Sequence, residues 1–316
     1  MIAKKILLID TLHSSFKTKI EKHGFVCTEG YDWNKEKIIA ELTQFKGIVI
    51  RSRFKIDKDF LSATHQLKFI ARVGAGMENI DVKFAESIGI KCLHAPEGNR
   101  DAVGEFAIGT LLSLFRNLNK ADAEVRKGIW LREENRGIEL QGKTIGIIGL
   151  GNMGSAFAKK LQGFDVNIIA YDKYLSIDRN KFPYVTQVDI SGLFNSTDIL
   201  SLHVPLTEET RMMVNDAFIN SFSKNIFIIN TARGKCLNTA DLVKNMQSGK
   251  VLGACLDVLE YESTSFEKLD KENLPEAFQY LINSNKVVLS PHIGGWTHES
   301  NEKMAEVLVE KILKLY

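Results

Sequence analysis

Short runs of apolar residues recur along the chain, and polar or amphipathic stretches separate them. In the first third of the chain, these runs predict strands at residues 5–9, 25–28, 47–50, 69–73 and 90–93. Apolar runs that alternate with helical segments are typical of a parallel sheet covered by helices, because both faces of such a sheet are buried. The pattern therefore predicts a first α/β domain.

The same alternation resumes further along the chain. It predicts strands at residues 143–148, 166–171, 199–203, 226–230, 251–256 and 287–290, and helices at residues 100–127, 239–248 and 297–315. Residues 263–286 are polar and lack strand character, so we expect a surface excursion there. Trp130, after the first of these helices, is expected to be a packing anchor rather than a ligand. Because single cores rarely grow beyond about 250–300 residues, the chain of 316 residues is expected to form two parallel-sheet domains.

The strand at 143–148 leads into the sequence GLGNMG, which contains Gly149, Gly151 and Gly154 and opens a predicted helix. In such a turn the first glycine permits the tight bend, the second lets a pyrophosphate approach the backbone, and the third lets helix and strand pack closely. The next strand ends at Asp172, where a carboxylate can accept hydrogen bonds from ribose hydroxyls and repel a 2′-phosphate. An ordinary strand–turn–helix corner is the alternative, and Asp172 in register argues against it. These features predict NAD as the cofactor, in preference to NADP.

Composition and charge indicate which binding partners and which cellular location to expect. The formal net charge is only +2, and no basic run or basic–aromatic stripe is present, so no nucleic-acid partner is expected. No apolar run approaches the ~18 residues of a membrane span, and the start MIAKKILLID is too short and too quickly acidic for a signal peptide. We therefore expect a cytoplasmic protein without a membrane partner.

Ligands of open parallel sheets bind beyond the carboxyl ends of the strands, and two strand ends in the first domain carry suitable residues. Arg51-Ser52-Arg53 follows one strand, and its two guanidiniums suit a carboxylate or a phosphate. Gly74-Ala75-Gly76 follows the next strand, and its N–H groups suit an anion. Because Asn79 stands where a dinucleotide turn would have its third glycine, we interpret this second segment, like the first, as substrate-binding. The alternatives are solvated surface charge for the arginine segment and a plain turn for the glycine segment.

In the second domain, the predicted strands lead into His203, Thr231-Ala232-Arg233, Asp257 and Pro291-His292. An arginine can hold a substrate carboxylate through two hydrogen bonds and polarise the adjacent carbonyl group. A histidine can donate or accept a hydroxyl proton near neutral pH. A structural salt bridge for Arg233 and a turn role for His292 are the alternatives. No H-E-x-x-H or similar spacing occurs, so no metal is predicted.

Six motifs stand in order along the chain: VGAGMENID, GLGNMG, HVPLTEET, NTARG, GACLDVLEYE and SPHIGG. In order and approximate spacing they resemble those of the D-isomer-specific 2-hydroxyacid dehydrogenases, over nearly the whole chain. The resemblance implies a central Rossmann NAD domain at residues 101–290. It also implies a discontinuous flavodoxin-like substrate domain made of residues 1–100 and 291–316. A homodimer through the NAD domain is implied as well, and the apolar helix near residues 104–118 suits it.

The resemblance also implies roles for individual residues. Arg233 resembles the residue that binds the substrate carboxylate, His292 the general acid/base, and Glu262 the carboxylate that pairs with this histidine. Where the family usually has proline after that glutamate, this chain has Ser263. His203 is expected as a wall of the cofactor site rather than as an acid/base. The other positions similar to cofactor-binding residues are Asn152, Met153, Asp172, Thr231, Ala232 and Asp257.

The resemblance implies a small anionic 2-hydroxy acid or 2-keto acid as the substrate. The segment around Arg51 and Arg53 resembles the one that phosphoglycerate dehydrogenases present to the substrate, so oxidation of D-3-phosphoglycerate to 3-phosphohydroxypyruvate, the entry to serine synthesis, is the leading hypothesis. No regulatory domain is expected. Trp296, where a small serine is usual, favours the alternative, a glyoxylate or hydroxypyruvate reductase or another D-2-hydroxyacid dehydrogenase. An NAD-sensing, corepressor-like binding protein is a distant hypothesis, because the chain lacks a disordered tail or basic region.

Overall fold

A computed structural model describes residues 4–176, 178, 180–262 and 274–316 of the chain. The described residues divide into two compact units. The first unit comprises residues 4–100 and 296–316, and the second comprises the described residues between 101 and 295.

The first unit is built on five parallel strands: β1 (Lys4–Leu8), β2 (Phe25–Glu29), β3 (Gly47–Ile50), β4 (Phe69–Arg72) and β5 (Lys91–His94). Their order in the sheet is β2-β1-β3-β4-β5, and every pair is parallel. This is the flavodoxin-like order, as the resemblance implied. The order reverses between β1 and β3, and ligands of such sheets bind at that point beyond the carboxyl ends of the strands.

Helices cover both faces of this sheet: α1 (Ser15–Glu21), α2 (Lys35–Glu41), α3 (Lys58–Ser62), α4 (Val82–Ser87) and the closing helix α12 (His298–Leu313), with a 3-10 turn at Leu42–Gln44. Successive residues of a strand point to opposite faces. Accordingly, Ile6 packs in the cluster with Phe16 and Leu308, whereas Leu7 packs in the cluster with Ile38 and Phe60. Burial on both faces explains why the strands read as continuous apolar runs.

The second unit is built on seven parallel strands: β6 (Thr144–Ile148), β7 (Asn167–Tyr171), β8 (Thr186–Gln187), β9 (Ile199–Leu202), β10 (Ile226–Asn230), β11 (Val251–Leu256) and β12 (Val287–Leu289). Their order is β12-β11-β10-β9-β6-β7-β8, which is the Rossmann order with one further strand. The order reverses between β6 and β9. The sequence pattern missed β8, because two exposed residues give no apolar run.

The helices of this unit are α5 (Pro96–Phe115, which begins in the first unit), α6 (Leu118–Val125), α7 (Asn152–Lys160), α8 (Ile190–Ser196), α9 (Asp216–Asn220), α10 (Thr239–Gln247) and α11 (Glu276–Asn283), with 3-10 turns at Leu161–Phe164 and Gly234–Cys236. The single helix predicted at 100–127 is wrong, because Asn117 is left-handed (φ 52°) and separates α5 from α6. The predicted surface excursion at 263–286 lies partly outside the described residues. Its described part includes α11, whose Phe278 and Leu281 are buried.

Candidate active site

The glycine-rich turn lies at the reversal point of the second sheet. Gly149 has φ +89°, and a Cβ there would lie 2.7 Å from the main-chain oxygen of His203. A Cβ on Gly154 would lie 2.0 Å from the oxygen of Gly149, whereas one on Gly151 would meet nothing within 4 Å. The first and third glycines are therefore required by packing, and the second leaves the backbone open to a ligand at the start of α7.

Both carboxylate oxygens of Asp172 accept hydrogen bonds from main-chain N–H groups. One carboxylate oxygen accepts a hydrogen bond from the N–H of Leu150 at 2.9 Å, within the glycine-rich turn. The other accepts from the N–H groups of Tyr174 and Leu175, each at 3.0 Å. A carboxylate has about four acceptor sites, so the predicted ribose contact remains compatible with these bonds. Asn152 and Met153 form the first turn of α7 and are partly exposed.

His203 follows β9 and lies beside the glycine-rich turn. Its ring Nε2 is 2.8 Å from the hydroxyl of Ser201, and the ring packs against Phe157 with centroids 5.3 Å apart. Burial lowers the pKa of His203 to about 3, so the ring is neutral near pH 7. A neutral ring of this kind suits a wall of a binding site and is a poor proton donor.

The turn after β10 presents Arg233. The buried side chain of Asn230 accepts a hydrogen bond from the N–H of Ala232 at 3.0 Å and donates one to the oxygen of Arg233 at 3.1 Å. A Cβ on Gly234 would lie 2.0 Å from the carbonyl carbon of Leu259. Only glycine therefore lets this turn pack closely against the segment that follows β11.

Within the described residues, two buried polar atoms near these turns lack a hydrogen-bond partner: Oγ1 of Thr231 and Nδ1 of His203. Buried polar atoms are nearly always paired in native proteins, and exceptions point to an absent ligand or water. Together with the open backbone at Gly151, they fit a dinucleotide at the carboxyl ends of β6, β9 and β10.

His292 and Glu262 form a pair. Nδ1 of His292 lies 2.7 Å from one carboxylate oxygen of Glu262, and the other oxygen accepts a hydrogen bond from the N–H of Leu259 at 2.5 Å. The side chains are only 24% and 14% exposed, so solvent screens the pair weakly. The carboxylate fixes the orientation and the tautomer of the ring. With Nδ1 engaged by Glu262, Nε2 is the nitrogen suited to exchange a proton with a substrate.

Asp257 is 3% exposed and is bonded to the turn that carries His292. Its carboxylate accepts hydrogen bonds from the hydroxyl of Ser290 and from the N–H groups of Ile293 and Gly294, at 2.7, 2.9 and 2.7 Å. The predicted nicotinamide contact of Asp257 stays a prediction. The sequence did not indicate its bonds to the turn.

The predicted substrate segment at residues 51–53 lies at the reversal point of the first sheet. One oxygen of Asp10, just after β1, accepts hydrogen bonds from the N–H groups of Arg51, Ser52 and Arg53 at 2.6, 3.2 and 3.4 Å. Sequence reasoning missed Asp10, although an acidic residue directly after a strand was a visible signal. This carboxylate holds the backbone of the segment in place.

The two guanidiniums of this segment differ in their surroundings. Arg51 packs over the ring of Trp296 at 4.7 Å and donates a hydrogen bond to Asn301 at 2.9 Å. Arg53 instead donates to three main-chain oxygens, those of Ile9, Gly30 and Trp33, at 3.0, 3.2 and 2.9 Å. Much of the donor capacity of Arg53 is therefore used within the fold.

The second predicted substrate segment, Gly74-Ala75-Gly76, lies against Arg72. Gly74 has φ +153°, and a Cβ there would lie 1.9 Å from Nη1 of Arg72. The Nε of Arg72 donates to the oxygen of Arg51 at 3.1 Å, and Nδ1 of His94 lies 2.6 Å from the oxygen of Ala75. Arg72 thus links the two predicted substrate segments, and sequence reasoning did not single it out.

Among the residues that the structure describes, no three His, Cys, Asp or Glu side chains are grouped so as to hold a metal ion. Within the same part of the chain, no helix is long and apolar enough to cross a membrane.

Comparison with known proteins gives concordant matches. Residues 108–294 match the family described as D-isomer specific 2-hydroxyacid dehydrogenase, NAD binding domain. A hydroxypyruvate reductase of Thermotoga maritima is 38% identical over 280 residues, covering 89% of this chain and 88% of that protein. A D-3-phosphoglycerate dehydrogenase of Archaeoglobus fulgidus is 32% identical over 311 residues and 98% of this chain, which spans only 57% of that longer protein. The crystal structure of D-lactate dehydrogenase from Aquifex aeolicus, complexed with NAD and lactic acid, aligns with a TM-score of 0.83 at 27% identity, covering 98% of this chain and 95% of that one.

Proposed function

Because the chain belongs to the family of D-isomer-specific 2-hydroxyacid dehydrogenases, we propose that it interconverts a D-2-hydroxy acid and its 2-keto acid with NAD. The observation that carries this proposal is the His292–Glu262 pair at 2.7 Å. It lies in the same unit as the glycine-rich turn. A histidine oriented by a carboxylate is the device that proton transfer to a substrate oxygen requires.

We propose that NAD is held by the turn at residues 149–154, Asp172, and the residues 231–232. When bound, it supplies the hydride acceptor. His203 and Asp257 would border the cofactor, with His203 as a neutral wall. Two buried atoms that have no hydrogen-bond partner in the part of the chain that the structure describes, Thr231 Oγ1 and His203 Nδ1, support this placement.

The substrate carboxylate is assigned to Arg233, whose planar guanidinium can hold it bidentately and keep the hydroxyl carbon in one orientation. In oxidation, Nε2 of His292 accepts the hydroxyl proton, and Glu262 stabilises the imidazolium that results. In reduction, the imidazolium returns that proton to the oxygen. The tight packing of Gly234 against Leu259 holds the arginine turn against the segment that leads to Glu262.

As the substrate we propose D-3-phosphoglycerate, oxidised to 3-phosphohydroxypyruvate. Its support is the match to phosphoglycerate dehydrogenases over 98% of this chain and the cationic segment at residues 51–53. The bonds of Arg53 to main-chain oxygens leave Arg51 as the better candidate for a phosphate, with the N–H groups of residues 74–76 as further donors.

A second candidate is hydroxypyruvate or glyoxylate reduction. It is favoured by the partial use of Arg53 within the fold and by Trp296, whose ring covers one face of Arg51. The 38% identity to a hydroxypyruvate reductase also supports it.

Steady-state kinetics with 3-phosphohydroxypyruvate, hydroxypyruvate and glyoxylate separate the two candidates. For a phosphate substrate, kcat/KM is highest with 3-phosphohydroxypyruvate, and Arg51→Ala raises KM for it far more than for glyoxylate. Equal or better use of hydroxypyruvate by the unaltered protein would exclude the phosphate assignment.

We further propose a cytoplasmic homodimer formed through the NAD-binding unit. The predicted surface near residues 104–118 is largely buried within the chain, since Ala107, Leu111 and Phe115 belong to its core. The dimer is supported instead by large apolar side chains that are exposed further along the chain: Leu118, Val125, Ile129, Trp130, Leu131 and Ile138. Trp130, predicted as a packing anchor rather than a ligand, is 76% exposed, so the packing that we propose for it is against the second subunit. Light scattering of the protein and of a Trp130→Ser variant tests the dimer.

A further inference from the structure

The turn that carries His292 is bonded to one buried residue. The carboxylate of Asp257 accepts hydrogen bonds from Ser290 Oγ, Ile293 N–H and Gly294 N–H at 2.7, 2.9 and 2.7 Å. The main-chain oxygen of Asp257 accepts a further bond from the N–H of His292 at 2.8 Å. Asp257 therefore contacts the turn before, at and after the histidine.

These bonds surround an unusual backbone conformation. His292 has φ 58°, in the left-handed region that is unfavourable for a residue other than glycine. Such a conformation persists only where the surroundings enforce it. The main chain of Asp257 holds the N–H of His292, and its carboxylate holds the next two N–H groups.

The contact between His292 and Glu262 depends on the same bend. Glu262 is itself anchored by the N–H of Leu259 at 2.5 Å, in the segment that follows β11. Asp257 lies at the end of β11 as well. Two residues that follow β11 therefore hold the two members of the acid/base pair. Asp257 holds the turn that carries His292, and the N–H of Leu259 holds the carboxylate of Glu262.

We propose that Asp257 is a positioning residue for His292, whose carboxylate holds the 290–294 turn so that the imidazole meets Glu262. This inference rests on the proposed acid/base role of His292. It goes beyond the predicted nicotinamide contact, and the two roles have different consequences. If Asp257 binds the cofactor, its replacement weakens NADH binding. If Asp257 holds the turn, its replacement lowers kcat while the NADH affinity is kept.

The principal variant is Asp257→Asn. The amide retains one acceptor oxygen, but its NH2 group faces a donor, so at least one of the Ile293 and Gly294 bonds is lost. We expect kcat to fall on the order of 10²-fold, as for a mispositioned acid/base. NADH affinity should stay within about threefold, less than a lost charge-assisted bond to the cofactor would cost. Hydrogen exchange of a peptide that covers residues 290–294, measured without substrate, should accelerate by roughly tenfold or more.

The matched control is Asp198→Asn. The carboxylate of Asp198 also accepts a main-chain N–H, that of Thr144 at 2.8 Å, and pairs with Lys224 at 3.0 Å, but it lies at the amino ends of the strands of the same sheet. This variant should lose stability without loss of kcat or faster exchange at 290–294.

If Asp257→Asn does not fold, two milder variants test the positioning role of Asp257. Ser290→Ala removes one donor to the carboxylate. Gly294→Ala places a Cβ 2.8 Å from Oδ2 of Asp257 and pushes the turn away. Both should accelerate exchange at 290–294 and lower kcat with NADH affinity kept.

Unchanged exchange and kcat in the folded variants would overturn the positioning role, and so would weakened NADH binding with normal kcat. If the unaltered protein turns over no 2-keto acid, the proposed function fails. In that case the exchange measurement still reports whether Asp257 holds the turn.

Discussion

Replacing Glu262 by Gln isolates the contribution of its charge to the acid/base step. The glutamine has nearly the same shape, and its oxygen can keep the hydrogen bond to the N–H of Leu259. Its NH2 group then faces Nδ1 of His292 and forces that nitrogen to act as an acceptor. The imidazolium that donates the proton during keto-acid reduction then has no counter-charge beside it, so we expect the proton-transfer step to be slower.

The size of the effect follows from the contact. The two groups are 2.7 Å apart and their side chains are only 24% and 14% exposed, so screening by solvent is limited. A hydrogen bond to a charged group contributes about 1.5–3 kcal/mol, and about 1.4 kcal/mol corresponds to a tenfold change in rate. We therefore expect kcat for reduction near neutral pH to fall roughly 10- to 100-fold.

The assay is the steady-state oxidation of NADH with a 2-keto acid, together with a fluorescence titration of NADH binding. Glu260→Gln is the matched control, because Glu260 lies in the same segment and accepts the N–H of Thr239 at 3.1 Å instead. It should retain normal kcat. A Glu262→Gln variant whose kcat stays within about twofold, less than one such bond contributes, would refute the pairing as a catalytic device.

Three further outcomes are expected. Arg233→Lys keeps the charge but loses the planar fork, so KM for the keto acid should rise and kcat fall while NADH affinity is maintained; an unchanged KM contradicts carboxylate binding there. Asp172→Ala should weaken NAD binding and relax the discrimination against NADP, as competition titrations with both cofactors would show, and an unaltered preference would argue against the ribose contact. His203 has its pKa lowered to about 3 by burial, so the stability it contributes is present above its unfolded pKa of about 6.5 and is lost as pH falls toward 3. In urea titrations His203→Gln should therefore show a flatter loss of stability between these pH values, and an identical acid dependence in both proteins would contradict the buried neutral ring.

The sequence predicted the two sheets well, because parallel strands buried on both faces give continuous apolar runs. Strands β3, β10 and β11 were predicted with the bounds that the structure shows. Where the signal was weaker, prediction failed. The two exposed residues of β8 carry no pattern, and the break at Asn117 depends on one backbone conformation within an otherwise helical sequence.

For the candidate site, motifs indicated which residue types to examine but not what each contacts. The alternation of strands placed Arg53 and Arg51 together at a strand end, yet the structure commits Arg53 to three main-chain oxygens contributed by distant segments. Asp10 acts on a turn 41 to 43 residues away along the chain, and Asp257 acts on a turn 33 to 37 residues away. Such contacts arise from the order of strands in the sheet, which spacing along the sequence does not encode.

The proposed role of His292 in a D-specific dehydrogenase is tested most directly by comparing the unaltered protein with His292→Ala in NADH-linked reduction of hydroxypyruvate and 3-phosphohydroxypyruvate, with the chirality of the product determined. We expect NADH-dependent formation of the D-hydroxy acid, and a kcat lower by about 10²- to 10⁴-fold in the variant with NADH affinity retained. Absence of NADH-linked turnover on any 2-keto acid would contradict the proposed dehydrogenase activity and favour a protein that only binds NAD. An L-product would contradict the D-specificity, and a variant with nearly normal kcat would contradict the role of His292.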